Sequence, residues 1–335
     1  MNLILLKRWA LIVLVLTTGS IFTAGAQQVI TLQKAIETAL DKNLTIKQSQ
    51  ITERLAVEDY QQSKNNLLPS VTANPQASYN FGRSPNLTTY SYTSQAFLYV
   101  NGQASVSLTL FQGGQLRAQI LQNKVLLDAD KTTTQKVKND LMLNVAIDYL
   151  QILTNQDLVA AANRQIEISK ITLDRTQKNF DAGSQSLADL SQAKAGLSTA
   201  EYNLTTAQSQ LDIAILALKQ YMEMDPNTDI KVERPDISKI TDVKTVYDAN
   251  EVIKTALTVN PDVQMQQLLQ KGYEESIKVA RGNFYPIVSL FGGIGTNYSS
   301  ISQNINGSAS YPLFSQFSNN LNQSVGISMQ IPIFT

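Results

Sequence analysis

Few side chains in this sequence could carry out bond chemistry. The 335 residues include no cysteine and no histidine, which excludes disulfides, thiolate nucleophiles, histidine-based triads and most zinc or haem sites. The best remaining acid/base candidates are Asp128 and Asp130 beside Lys131. They fall in the middle of a helical pattern among polar residues, which favours a solvated helix face over a catalytic group. We therefore predict no enzyme activity, no cofactor and no metal site.

The composition is polar without being highly charged. Lys plus Arg and Asp plus Glu each number 27, and charged residues make up 16% of the chain, against about 25% in ordinary soluble domains. Since there is no basic excess, nothing predicts a nucleic-acid partner. The abundant Gln, Asn, Ser and Thr suit wet helix faces or a polar pore.

The first 26 residues are typical of a secretory signal peptide. Lys7 and Arg8 precede a short apolar run, and Ala24-Gly25-Ala26 forms a small-residue cleavage site. The alternative, a membrane anchor, would need about 20 apolar residues. We expect cleavage after Ala26 and export of the rest, which contains no long apolar segment, so that any membrane span must be β.

Two segments of the chain repeat one another. Shifted by 217 residues, Ala39-Leu40 falls on Ala256-Leu257 and Asn43 falls on Asn260. We predict a first repeat over 27–221, an equatorial linker over 222–246 and a second repeat over 247–335. Each begins with helices followed by two strands, but only the first continues into a long helical region. The sequence is therefore expected to be a C-terminally truncated form of a longer architecture.

Four strands are predicted from alternating polarity, at about 70–82, 98–111, 287–298 and 323–334. In the first, for example, Val71 and Ala73 alternate with Thr72 and Asn74. This pattern fits either a lipid-facing barrel with a wet lumen or a half-buried soluble sheet; the export signal and the scarcity of charge favour the barrel. Four strands cannot close a barrel alone, so several protomers would share it. The segments 82–97 and 299–322 would be outward loops.

The region 115–221 is predicted to be a coiled-coil helical hairpin. Its return helix has leucines at seven-residue intervals from Leu190 to Leu218, with an alanine three places after each of the first four. A turn at 181–186 contains Gly183, which can end a helix. The span 141–153 is apolar on more than one face, which indicates helices on two sides, as in a ring. The expected fold class is thus mainly α with membrane β.

These features together resemble the outer-membrane efflux protein family, the TolC-like channels. The likeness covers nearly all of the chain after the signal, and it is carried by the repeat starts, the helix-to-strand junctions, the strand-to-helix return and the hairpin string, namely Ala39-Leu40, Asn43, Ala256-Leu257, Asn260-Pro261, Leu67-Leu68-Pro69-Ser70, Phe284-Tyr285-Pro286-Ile287, Leu110-Phe111, Gly113-Gly114, Phe180, Gly183, Ser186, Asp189-Leu190, Ala193, Leu197, Ala200 and Leu204.

The resemblance implies a homotrimer in the cell outer membrane, in contact with outer-membrane lipid. Its helices would form an α-barrel in the periplasm and its strands a shared β-barrel. The tip would dock a periplasmic adaptor coupled to an inner-membrane pump of the RND or ABC type. The residues expected at this tip are Asp181, Gly183, Ser186, Asp189 and Leu190. The sequence departs from the family in having no second helical hairpin.

Two questions stay open at this stage. Asp181 and Asp189, repeated by symmetry, could form a cation-attracting ring, or they could be ordinary turn and first-turn residues. The favoured function is passive export of small molecules or polypeptides through an oligomeric channel, in efflux or type I secretion. The alternative is a secreted coiled-coil structural protein or adhesin, which explains the heptads but not the paired strands.

Overall fold

The computed structural model describes residues 28–86, 91–94, 96–235, 247–302 and 311–334. The predicted signal peptide, and parts of the predicted linker and of both predicted loops, lie outside the described residues. The elements in chain order are β1 (Gln28–Ile30), α1 (Leu32–Lys42), α2 (Leu44–Asn65), β2 (Ser70–Asn80), β3 (Arg83–Asn86), β4 (Ser91–Ser94), β5 (Phe97–Gln112), α3 (Gln115–Asp181), α4 (Leu187–Tyr221), β6 (Ile230–Val232), α5 (Ala249–Val259), α6 (Pro261–Gly282), β7 (Ile287–Ser299), α7 (Leu313–Asn319) and β8 (Asn322–Gln330).

The chain forms two compact units, each assembled from separate stretches of sequence. The first contains the described residues within 1–48 and 136–247, and the second contains those within 49–135 and 248–335. The division therefore does not follow the two sequence repeats. A repeat is a unit of chain, whereas a compact unit is defined by contacts, and strands from both repeats pair within the second unit.

The first unit is built around the base of the helical hairpin. Strands β1 and β6 pair in parallel, with Ile30 opposite Val232. Beneath them, Tyr149 of α3 is 1% exposed, and its hydroxyl group donates a hydrogen bond shared between the Ile30 and Glu233 carbonyls. The surrounding core contains apolar side chains from β1, α1, α2, α3, α4 and β6, including Ala35, Ala39, Ile46, Val145, Ile152 and Leu218.

A buried asparagine links the start of the first repeat to its end. Asn43, between α1 and α2, accepts a hydrogen bond from the Thr45 N–H and donates one of 3.1 Å to the carbonyl of Tyr221, the last residue of α4. A helix end leaves carbonyls without intrahelical partners. Asn43 supplies a partner for one of them.

Helices α3 and α4 form the predicted coiled-coil hairpin, with the seam where the heptads put it. Along α4 the alanines at 200, 207 and 214 are buried, and Leu190 and Leu218 are buried at the two ends. Small residues in a seam let two helix backbones approach closely, and the leucines fill the remaining space.

The second unit contains a four-stranded antiparallel sheet in the order β2-β5-β7-β8. The register of its strands places apolar side chains on one face and small or polar side chains on the other. Val71 lies opposite Val106, which lies opposite Gly292, which lies opposite Val325; the next rung on the other face is Thr72, Ser105, Gly293 and Ser324. One face is therefore largely apolar and the other mostly small or polar, as the alternation predicts.

The strands differ in detail from the sequence expectation. A bulge at Leu110 shifts the register, so that Phe111 rather than Leu110 lies opposite Val288; strict alternation cannot reveal an inserted residue. Strand β8 ends at Gln330, not near 334, because its last partner is Ile287, the first residue of β7, and because Pro332 has no N–H to donate.

The predicted outward loops contain regular structure. Within 82–97, β3 and β4 form a short antiparallel ribbon. Within 299–322, α7 packs against β7. Polar, Asn- and Ser-rich sequence favoured irregular loops at both places, since neither segment has a clear period.

The strand-to-helix return after β5 depends on glycine. Gly113 has φ +57°, and a Cβ there would lie 2.6 Å from Cβ of Tyr285. A larger residue would be strained by the backbone and would also clash. Gly113 thus allows the end of β5 to pass closely beside the end of α6.

No helix among the described residues is long and apolar enough to cross a membrane.

Candidate functional site at the hairpin tip

The turn between α3 and α4 is a well-formed helix C-cap. Gly183 has φ +77°, its N–H donates to the Phe180 carbonyl at 2.9 Å, and the Ser184 N–H donates to the Asn179 carbonyl at 2.8 Å. This is the hydrogen-bond pattern of a Schellman motif, in which glycine takes the left-handed position. The sequence Asp-Ala-Gly-Ser therefore ends the helix at a fixed residue.

The return helix begins with a reciprocal cap. The Ser186 hydroxyl accepts from the Asp189 N–H, while the Asp189 carboxylate accepts from the Ser186 N–H at 3.0 Å and from its hydroxyl at 2.7 Å. These bonds, chiefly that from the Ser186 side chain and then that from its backbone, lower the pKa of Asp189. A carboxylate that accepts hydrogen bonds is stabilised in its charged form.

The five residues predicted for the tip fall in three different settings. Asp181 is exposed at the end of α3 and accepts from Gln177 at 2.8 Å; Gly183 and Ser186 shape the turn. Leu190 is 4% exposed, so it holds the two helices together and presents no surface. Asp189 is exposed, but one of its oxygens already accepts two bonds within the cap.

A groove beside the tip was missed by sequence reasoning. It has a volume of about 370 Å³ and is lined from α3 by Gln165, Ile168, Ser169, Thr172 and Thr176, and from α4 by Asp189, Gln192, Ala193 and Gly196. Ala193 and Gly196 are small, and their small size opens the space. Their spacing was visible in the sequence, but the polar side chains facing them from α3 have no distinctive pattern.

The acid/base candidates named from the sequence lie along α3. Asp128 and Lys131 make an exposed ion pair of 3.4 Å one turn apart. Burial, and secondarily the negative charge of Glu53, raise the pKa of Asp130. Among the described residues, no group of three or more acidic side chains is placed to hold a metal ion.

The profile of the outer membrane efflux protein family matches residues 35–222, which is more than half of the chain. The chain belongs to the outer membrane efflux protein family. The resemblance inferred from the motifs is thereby confirmed, as is the location in the outer membrane with a helical portion in the periplasm.

Solved structures of this outer membrane efflux protein fold extend the likeness. The channel CusC is 18% identical with a TM-score of 0.69, over 91% of this chain and 66% of that one. CmeC of Campylobacter jejuni is 19% identical with a TM-score of 0.71, over 90% of this chain and 61% of that one. MtrE of Neisseria gonorrhoeae, in an open state, is 22% identical with a TM-score of 0.63, over 91% of this chain and 64% of that one. The chain thus spans less than two thirds of the length of these channels. Their likeness confirms the predicted fold class, mainly α with membrane β.

A search of curated proteins found no match.

Proposed function

We propose that this member of the outer membrane efflux protein family forms a passive export channel as a homotrimer. The observation that carries the proposal is the sheet β2-β5-β7-β8, which has one apolar face, one largely uncharged polar face and two outer edges, β2 and β8, with no partner strand among the described residues. In a bilayer, unpaired strand edges are prohibitively costly, so sheets in membranes close into barrels. Three copies would supply twelve strands, joining the β8 edge of one to the β2 edge of the next.

Exposed apolar side chains on the hairpin support assembly through the helices as well. Leu143, Ile147 and Leu150 lie along one face of α3 at helical spacing and are 61%, 53% and 56% exposed, while Val145 and Tyr149 fill the core on another face. Apolar patches of this kind mark protein interfaces. Neighbouring protomers would cover them, giving a ring of helices around a conduit.

The channel needs no chemistry of its own. Its contribution would be a polar lumen, in which the strand face bearing Thr72, Asn74, Gln103 and Ser105 offers uncharged groups to many solutes. The driving force would come from a periplasmic adaptor and an inner-membrane pump, of the RND type in efflux or of the ABC type in type I secretion. Cargoes ranging from small molecules to polypeptides fit such a pore.

The groove at the hairpin tip is the proposed adaptor-docking site. Its small residues, Ala193 and Gly196, leave room for a helix of the adaptor, and Gln192 and Thr172 could bind that helix by hydrogen bonds. Gly183, Ser186 and Leu190 would act by fixing the shape of the tip, and Asp181 and Asp189 by placing negative charge around it.

The channel proposal is tested by fractionation and conductance. Expressed in a Gram-negative host, the protein is expected in the outer-membrane fraction as a heat-modifiable trimer, and the purified trimer is expected to conduct ions across a planar bilayer. Recovery as an elongated protein extracted by salt alone would overturn the proposal and support the coiled-coil alternative.

The tip is tested separately. Gly196→Leu places a large side chain in the groove, at a position where a Cβ would meet no atom within 4 Å; it should weaken adaptor binding, whereas Lys194→Gln on the exposed face of α4 should not. Asp189→Asn should lower cation selectivity if the carboxylates form a ring. Unchanged selectivity would remove Asp189 from the conduction path.

A further inference from the structure

The short helix α7 is bound to the end of β7 by two amide side chains, one of which is buried. Gln316 is 1% exposed; its Oε1 accepts from the Ser299 N–H at 3.0 Å, and its Nε2 donates to the carbonyls of Ser299 at 3.0 Å and Tyr311 at 2.7 Å. One turn later, Asn320 donates to the Asn297 carbonyl at 2.8 Å.

These amide side chains bond to backbone groups at the edge of β7, where a neighbouring strand would otherwise bond. The pairing of β8 with β7 stops at Gly295 opposite Asn322, and beyond that point no strand among the described residues pairs with this edge of β7. Residues four apart on a helix are separated by about 6 Å, close to the two-residue repeat of a strand, about 6.6 Å. Gln316 and Asn320 therefore match Ser299 and Asn297 in spacing, and their side chains bond to strand groups that a neighbouring strand would otherwise use.

The helix lies on the apolar face of the sheet. Thr296 belongs to this face, since it lies opposite Gly102 two residues beyond the Ile294–Ala104 pair. Its hydroxyl donates to the Phe317 carbonyl of α7 at 2.7 Å. The side chain of Thr296 thus points toward α7.

The helix also lies where the apolar side chains of β7 and β8 give way to polar ones. On β7 this face carries Val288, Leu290, Gly292 and Ile294, which span about 20 Å along the strand, and the next residue on it is Thr296. The same change occurs beside it, where Gln323 lies opposite Ile294. This is the end of β7 farther from α6. Beyond Thr296 the same face continues with Tyr298 on β7 and with Val100 and Leu98 on β5, so α7 lies where apolar side chains give way to polar ones only on β7 and β8.

The outward surface of α7 is uncharged and carries one large apolar side chain, Phe314, beside the exposed polar residues Ser318 and Asn319. Phe314 is 83% exposed and Leu321, just after the helix, is 50% exposed. Leu321 also borders a shallow depression of about 390 Å³, lined mainly by Ala73, Pro75, Gly102, Ala104 and Ile294. From 283 to 335 the sequence contains no Asp, Glu, Lys or Arg. Such a surface, with apolar and uncharged polar side chains together, suits the boundary between hydrocarbon and headgroups.

We propose that α7 is an interfacial lipid-binding helix, which inserts Phe314 and Leu321 among the acyl chains at the rim of the outer leaflet. The site continues the apolar sheet face that the channel would present to lipid, and so the inference rests on the proposed function. Aromatic side chains favour this boundary between headgroups and chains. The depression beneath Leu321 accommodates one end of an acyl chain.

The proposal is tested by tryptophan quenching in the full chain. The one tryptophan of the sequence, Trp9, lies in the predicted signal peptide, and each variant carries Trp9→Phe so that any uncleaved precursor adds no emission. Phe314→Trp, or Leu321→Trp should the first variant fail to fold, is reconstituted in phosphatidylcholine vesicles with acyl chains brominated near the headgroup or near their ends. Emission should fall by about half with the shallow bromines and less with the deep ones, as expected for a residue at the interface.

Two matched positions separate the possible results. Ile327→Trp on the apolar face of β8 should be quenched, and Tyr99→Trp on the polar face of β5 should not. If Ile327→Trp is quenched while Phe314→Trp and Leu321→Trp behave like Tyr99→Trp, the lipid-binding helix is overturned and the channel stands. If Ile327→Trp is also unquenched, the membrane sheet itself is wrong and both proposals fall.

Discussion

Asn155 is a polar residue inside the seam of the hairpin. It is 4% exposed, accepts a hydrogen bond from Gln151, and donates one of 3.1 Å to the Gln210 carbonyl on the opposite helix. A buried amide between helices makes one alignment better than its neighbours, because any slip leaves the amide without a partner. Asn155 therefore sets which turn of α3 faces which turn of α4.

The substitution Asn155→Asp tests this role. A carboxylate cannot donate to the Gln210 carbonyl and is repelled by it, so we expect a loss of at least about 2 kcal/mol in unfolding free energy at pH 7. The folded-state pKa of the new carboxyl should be raised, so the loss should shrink as pH falls through that value toward the unfolded value of about 3.9. Denaturant unfolding at pH 7 and pH 4 measures both. Asn155→Ala, which has no charge, should show no such recovery.

Asp130 provides a second test of charge at single-residue level. Its pKa is raised by burial and by Glu53, so its charged form is disfavoured in the folded state. Asp130→Asn should therefore stabilise the protein at neutral pH, by no more than about 1 kcal/mol because the side chain is mostly solvated. The gain should disappear below the unfolded pKa of about 3.9, where both states are protonated.

The control for Asp130 is two residues away. Asp128→Asn removes an exposed ion pair with Lys131 and should cost a few tenths of a kcal/mol, about the value of such pairs. Opposite signs for the two neighbouring substitutions in thermal unfolding at pH 7 would support the assignment. A loss of stability in Asp130→Asn would contradict it.

At the level of elements, the hairpin depends on how its two helices stop and start. The C-cap at Gly183 and the capping box of Ser186 with Asp189 satisfy backbone groups at both sides of a turn of five residues. The turn is thus determined locally, and the heptad seam then aligns the helices that leave it. The proposed docking role would require a turn whose shape is fixed in this way.

Gly183→Ala measures the strain at the turn. No neighbouring atom would contact the added methyl group, so the cost arises only from φ of +77° and should be about 1 kcal/mol. Gly196→Ala adds the same group within α4, again in open space, and should stabilise by up to about 1 kcal/mol through helix propensity. Equal effects of the two substitutions on the denaturation midpoint would refute the cap interpretation.

At the level of the whole molecule, the two sequence repeats have unequal surroundings. In the first, α1 buries Ala35 and Ala39 completely. In the second, the corresponding helix α5 has no buried residue among those described, and Ile253 and Leu257 are more than half exposed. The same pattern of residues therefore gives a core in one repeat and an apolar surface in the other.

Assembly is tested on the exposed face of α3. If Ile147 lies between protomers, Ile147→Gln should weaken the trimer by roughly 1.5–3 kcal/mol, the usual value of burying such a side chain, without reducing helix content. Sedimentation in detergent over a concentration series measures the shift toward monomer. Asn144→Gln, an exposed polar neighbour, should sediment as wild type; a fully trimeric Ile147→Gln at all concentrations would exclude this face from the interface.

The sequence by itself determined every feature that depends on local periodicity. The seven-residue spacing from Leu190 to Leu218 gave the coiled-coil seam, the alternation after Pro69 gave the two faces of the sheet, and Gly183 gave the end of α3. Each is decided by backbone geometry that repeats within a few residues. Family membership followed from the order of these signals.

Only the tertiary structure decided which distant groups meet. Strand β5 pairs with β7, a bulge at Leu110 shifts their register, and Asn155 contacts Gln210. No periodic pattern in the sequence relates the residues that meet in these places. The tip groove exists because small residues of α4 face α3. The position of α7 depends on Gln316, whose side chain bonds to an edge of β7 that β8 does not cover. Such contacts arise from packing and from satisfying buried polar groups, which depend on the whole fold rather than on neighbouring residues.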